Sequence, residues 1–232
     1  MAMHAIWFES VNYSAAAYNR SFGKAGVFGL GVQLLNYGSI DSLDNTGTAD
    51  GTFSPRDVVG ALAWGRELGE NFSVGAAAKY LSTRIDNSAN ALLGDLGLQF
   101  SQAGLRAGFA FQNMGTKLKY NKVSETIPTQ SRFGLSYDYR AFTFYGDAGL
   151  PEDAAAWYAA GAEYRAVTAG KMRAAFRAGY STRAGEARND KTFPVSLGLG
   201  RGTGAYELDY AFVPYGDLGQ AHHLTFNMRW GE

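Results

Sequence analysis

The 232 residues suffice for one large all-β domain, and 21 lysines and arginines against 21 acidic residues leave no net field to draw nucleic acid or an anionic surface. Cysteine is absent, which removes disulfide frameworks and thiolate metal sites and suits passage through an oxidising compartment. The 30 glycines, 14% aromatic residues and five prolines fit tightly curved sheets with interfacial aromatics, and no run approaches the roughly 20 apolar residues of a membrane helix.

Met1-Ala2-Met3-His4 carries neither the basic segment nor the apolar core of a secretory leader, so an exported chain is expected to have lost its leader. From there, alternation of apolar with small or polar side chains predicts thirteen strands: 5–19, 26–37, 56–67, 72–85, 91–100, 105–113, 131–139, 142–150, 156–165, 172–181, 193–200, 205–213 and 222–230. The joints at 20–25, 68–71, 101–104, 140–141, 166–171 and 201–204 are short and rich in glycine or charge, as tight hairpins are. Those at 38–55, 86–90, 114–130, 151–155, 182–192 and 214–221 are mostly longer. Short and long alternate along the chain, the pattern of an antiparallel up-and-down transmembrane β-barrel with short periplasmic turns and longer outer loops. Such barrels have even strand numbers with both ends in the periplasm. Thirteen strands therefore imply either a missing first strand of fourteen or a first segment left out of a ring of twelve. Residues 1–232 read as a single barrel domain of 12–14 strands.

The faces sort cleanly because successive strand side chains point to opposite sides. In 132–140, Phe133, Leu135, Tyr137 and Tyr139 oppose Arg132, Gly134, Ser136, Asp138 and Arg140; 105–112, 172–181, 206–212 and 223–230 divide likewise. The residues assigned to lipid are Phe109, Phe111, Phe133, Leu135, Tyr137, Phe176, Tyr210, Phe226 and Trp230. Seven cations, Lys79, Arg106, Arg132, Arg140, Arg173, Arg177 and Arg229, and six acids, Asp95, Asp138, Asp147, Glu163, Glu207 and Asp209, are assigned to the lumen. A charge at the lipid midplane would cost about 2–4 kcal/mol, which explains the segregation. Two uses are open for these charges: a lattice of ion pairs holding the wall together, or a constriction that sorts solutes by charge and size.

A soluble β-sandwich or lipocalin-like barrel also alternates, with its apolar face turned inward. Against it stand strands nearer ten residues than five or six, the alternating joints, and aromatics placed for girdles: Phe72, Tyr80, Phe100, Phe133, Tyr139, Phe142, Tyr164, Tyr180, Tyr206 and Trp230.

The stretch Asp209-Tyr210-Ala211-Phe212-Val213-Pro214-Tyr215-Gly216-Asp217-Leu218-Gly219, with His222, His223 and a last strand, resembles the closing signature of the PorV/PorQ family of outer-membrane proteins. Phe72-Ser73-Val74-Gly75 with Lys79-Tyr80, Leu105-Arg106-Ala107-Gly108 leading into Gln112-Asn113-Met114-Gly115, and Trp7-Phe8-Glu9-Ser10 resemble its recurrent strands. The resemblance implies a fourteen-stranded barrel of the FadL-related superfamily, some of whose members serve protein secretion as shuttles or scaffolds. The family's glycine-rich first segment has no counterpart here. From this follows the expectation of a bacterial outer-membrane secretion accessory or scaffold, working as a monomer in the bilayer with secreted or secretion-system proteins as partners. The alternative is a FadL-like transporter or passive pore for small apolar molecules.

The remaining motifs carry little chemistry. His222 and His223 beside Asp217 lack the convergent ligands a metal needs. Gly198-Leu199-Gly200-Arg201-Gly202-Thr203-Gly204 has no helix to follow and reads as a hairpin, not a phosphate loop. Asp41, Asp44, Asn45, Asp50 and Asp57 fail the EF-hand spacing and read as a solvated outer loop. No motif fixes a catalytic triad, so no catalytic residue, cofactor or metal is expected.

Overall fold

The computed structural model describes residues 1–85, 87–120, 123–167, 172–182, 195–216 and 219–230. Its strands are β1 (Ala2–Ile6), β2 (Asn12–Ser21), β3 (Val27–Asn36), β4 (Ile40–Leu43), β5 (Ala49–Phe53), β6 (Arg56–Leu68), β7 (Phe72–Arg84), β8 (Ser88–Gln102), β9 (Leu105–Gly115), β10 (Leu118–Tyr120), β11 (Val123–Glu125), β12 (Gln130–Tyr139), β13 (Phe142–Pro151), β14 (Trp157–Val167), β15 (Met172–Ser181), β16 (Val195–Thr203), β17 (Tyr206–Pro214) and β18 (Gln220–Met228). Fourteen of them form one closed antiparallel barrel, each paired with its neighbours along the chain and β1 with β18. The others form two hairpins, β4–β5 and β10–β11, within the connections from β3 to β6 and from β9 to β12.

The ring holds fourteen strands, not thirteen, because the segment read as one strand over 5–19 is two. The chain leaves β1 at Ile6 and turns over a short 3₁₀ segment, Phe8–Ser10, where the Trp7 N–H donates to the Val11 carbonyl at 2.9 Å. Ser10 adopts φ 65°, and Asn12 Nδ2 caps its carbonyl at 2.8 Å. No glycine or proline marks this turn, so the apolar alternation runs through it unbroken. With the extra reversal, Met1 lies at the same end of the barrel as the turns at 22–26, 69–71, 103–104, 140–141 and 204–205, and the expected parity gap disappears.

The 103–104 turn shows what sets these tight reversals. Ala103 (φ 49°) and Gly104 (φ 85°) are both left-handed, the two-residue geometry whose twist matches flanking antiparallel strands. The stretch 198–204, read as a hairpin, is mostly strand: β16 runs through Thr203, and only 204–205 turn.

Exposure separates the two faces. Leu62, Leu92, Leu135, Phe176 and Leu197 each leave more than half of their surface open, whereas the buried apolar residues are nearly all alanines, such as Ala5, Ala91 and Ala221. The face carrying Phe109, Phe133, Leu135 and Phe176 is therefore the outside of the ring. Rings meet across neighbouring strands at the short-turn end, Phe72 with Phe100 (5.1 Å) and Phe142 with Tyr164 (5.0 Å), and Tyr18 meets Trp230 (6.1 Å) beyond the start of the short β1 that separates β2 from β18, while Phe109 and Phe133 (4.9 Å) meet higher up the wall.

Candidate functional site in the barrel interior

The inner face divides into a charged arc and a bare one. On the charged arc, Glu163 of β14 stands opposite Arg177 of β15, and the two pair. Arg177 also reaches Asp209 of β17, Nη1 to Oδ1 at 2.5 Å, and lies 3.7 Å from Glu207. It does so over β16, whose inward positions at this level, Gly198 and Gly200, have no side chains. A Cβ on Gly200 would come within 2.4 Å of the Asp209 carboxylate and 2.9 Å of Arg177. Glu163, only 4% exposed in its side chain, is held from the other side by Arg165. Arg165 is absent from the predicted set, although it shares the inward parity of Glu163 two positions before it.

Toward the next strands the pairing continues. Arg106 contacts Asp138 at 3.1 Å and donates through Nε to Ser136, and Thr143 donates to Asp138 at 2.7 Å. Arg132 donates to Asp147 at 3.0 Å, and its guanidinium lies 5.5 Å from the ring of Trp157. That ring sits where a side chain at Gly149 would be, since a Cβ there would meet it at 2.2 Å. Neither Trp157 nor Gly149 carries a sequence signal for this contact, which depends on the register of β12, β13 and β14.

Lys79 bonds Asp95 and Asn113, each at 2.7 Å, and the Asn113 N–H donates to the same Asp95 oxygen at 2.9 Å. These contacts clamp the register shift between β8 and β9, where Asn113 takes φ 64°. Arg173 donates to the Gly204 carbonyl at 3.1 Å, and Arg229, two-thirds exposed, lies 3.9 Å from Glu207 at the rim. Arg140 departs from its assignment to the lumen. It occupies the 140–141 turn with φ 56°, and its guanidinium lies 5.2 Å from the ring of outward Tyr139. Once the strand ends at Tyr139, alternation no longer dictates where the next side chain points.

Of the residues assigned to lipid, Phe109, Phe133, Leu135, Tyr137, Phe176, Tyr210, Phe226 and Trp230 are exposed on the outer face, and Phe111 is half-buried there. His222 and His223 point to opposite sides: His222 meets the Tyr210 hydroxyl at 2.8 Å outside, and His223 lies inward opposite Ala5 and Ala211. Asp217 falls outside the described residues. Among the described residues no group of three His, Cys, Asp or Glu is placed to hold a metal. Asp44 is a turn residue, taking hydrogen bonds from the Thr46 hydroxyl and from the N–H groups of Thr46 and Thr48.

The bare arc is a row of small residues lying directly across neighbouring strands: Gly65, Gly75, Gly97 and Ala110, ending at Arg132. A second row beside it runs Ser73, Gln99, Gly108, Gly134 and Asp147. Between them they border a cavity of about 920 Å³ that reaches the short-turn end at Lys24 and Gly26. The arrangement offers no nucleophile–base pair and no metal cluster. What it offers is space along one wall, with fixed charges along the other.

No protein-family model and no curated protein matches this chain. Solved structures do. The chain is similar to the toluene transporter TbuX from Ralstonia pickettii (TM-score 0.66, 12% identity, covering 99% of this chain and 88% of that one). It is also similar to a mutant of the monoaromatic hydrocarbon channel TodX (0.60, 9%, 97% and 86%) and to the porin KdgM (0.50, 6%, 99% and 98%). At these identities the likeness establishes the barrel fold. The PorV/PorQ resemblance rests on its motifs alone, and the leading residues of its closing signature build wall: Asp209 holds Arg177 and Tyr210 holds His222.

Proposed function

We propose that this chain is a bacterial outer-membrane channel that lets small molecules pass through its lumen, closer in kind to the FadL-like hydrocarbon channels than to a secretion scaffold. One observation carries the reading: large apolar side chains cover the outside of a closed ring, while the inside holds ion pairs and a cavity of about 920 Å³ beside a wall of glycine. A water-soluble barrel would bury those aromatics, since each large apolar side chain kept from water is worth about 1.5–3 kcal/mol. In a bilayer the same surface is the favourable one, and a ring with no open edge satisfies every backbone group of its wall.

Fourteen strands lie between the eight whose interior side chains fill and the sixteen or more that leave a wide aqueous channel. The charged arc narrows the bore, and the bare arc keeps it open. Refolded protein in planar bilayers is expected to give discrete conductance steps in potassium chloride. Silent bilayers, with heat-modifiable migration proving the barrel folded, would reject the reading.

A further inference from the structure

Resting on the channel reading, the geometry points to small hydrophilic solutes without net charge, such as pentoses and polyols, as what the lumen passes, with the route running along the glycine wall between β6 and β12. Two of the similar structures, TbuX and TodX, are a toluene transporter and a monoaromatic hydrocarbon channel. The lining of this cavity does not match such a cargo.

A hydrocarbon leaves water for a passage only if it finds apolar surface there. The outward side chains of Leu98 and Phe109 place only their main chain on this cavity, and the polar side chains at its inward positions are those of Glu67, Ser73, Gln99, Arg132 and Asp147, with Ser21 and Lys24 at one mouth. A hydrocarbon would strip water from these groups and return nothing, at a cost of at least about 1 kcal/mol for each polar group left unpaired. A polyol replaces that water with its own hydroxyls. Charge gives no net preference for ions of either sign, because within the cavity Arg132 is paired with Asp147 and Lys24 is offset in number by Glu67, while elsewhere on the wall Lys79 is paired with Asp95 and Arg177 with Asp209.

The route is testable because two of its glycines can be filled without breaking the wall. A Cβ on Gly97 would lie 3.7 Å from the Phe109 carbonyl, and one on Gly108 would lie 3.8 Å from that of Leu98, both ordinary contacts. Gly60 is the matched control: it faces outward beside Val32 and Tyr80, with nothing within 4 Å of a Cβ.

Vesicles holding refolded protein are expected to swell in isotonic L-arabinose well above the protein-free rate, and more slowly in potassium gluconate. G97F and G108F are expected to lose the arabinose swelling while retaining heat-modifiable migration, and G60F to keep it. Conductance steps in potassium chloride with arabinose swelling no faster than in empty vesicles would overturn the inference and leave the channel reading standing. Unchanged swelling in both filled variants would overturn the route. Silence in both assays would overturn inference and channel reading together.

Discussion

Arg177 on β15 bonds Asp209 on β17 across an intervening strand, and the contact exists because Gly200 between them has no side chain. Gly200→Ala is therefore expected to cost more than a helix-free glycine replacement usually does. Its Cβ would occupy the carboxylate's place, parting a charged hydrogen bond worth about 1.5–3 kcal/mol. The midpoint of urea unfolding in detergent should fall accordingly, whereas Gly60→Ala, open on the outer face, should leave it in place.

Gly149 performs the same service for an aromatic ring. Gly149→Ala would push Trp157 off the wall and away from Arg132, with overpacking costs of about 1–3 kcal/mol. The near-ultraviolet circular dichroism of Trp157 should collapse, as a W157F difference spectrum would identify. An unchanged Trp157 signal in the alanine variant would show that the indole lies elsewhere.

The two faces of β12 make opposite demands. Leu135→Arg puts a cation on the outer face and is expected to lower folding stability in vesicles by about 2–4 kcal/mol if the site lies at the bilayer midplane. Ser136→Arg, one residue on, faces inward near Arg106 and Asp138 and should cost less. Equal costs in a urea titration would contradict the orientation of the strand.

Asp44, in the exposed β4–β5 hairpin, is held below the usual carboxylate range, first by the Thr46 hydroxyl and then by the Thr48 and Thr46 N–H groups. A carboxyl depressed in the folded hairpin contributes stability that is present above its unfolded pKa and lost as pH falls through the folded value. The turn should thus stay ordered through the ordinary carboxylate range and loosen only in more acid solution. The Thr46 and Thr48 amide shifts, followed by NMR in detergent micelles, should titrate together with Asp44, and in Asp44→Asn that acid step should vanish.

Much of the barrel was legible because each wall residue faces one of two unlike surroundings, and a period of two records the choice locally. Phe109 and Phe133, drawn from separate predicted strands, do stand opposite one another. The first hairpin was illegible because Ser10 turns the chain with a positive φ that no glycine announces. Arg165 was within reach, since it lies in the predicted strand 156–165 at the inward parity of its partner Glu163. The Trp157 contact depends on which strand lies alongside and in what register, as does the glycine row, whose members are far apart in sequence and adjacent only across strands. The division of the lumen into a crowded and an empty side likewise follows from which strands lie side by side and in what register, which no single strand records.

The seam where Ala2 meets Phe226 joins the first strand of the ring to its last. Until that junction zips, the growing sheet has two raw borders, each able to recruit a stranger. That closure is the least local pairing of the ring, and it falls to a five-residue strand, the shortest in the ring. Pairings of such long sequence separation form slowly, so closure of this seam is expected to set the pace at which the ring is completed.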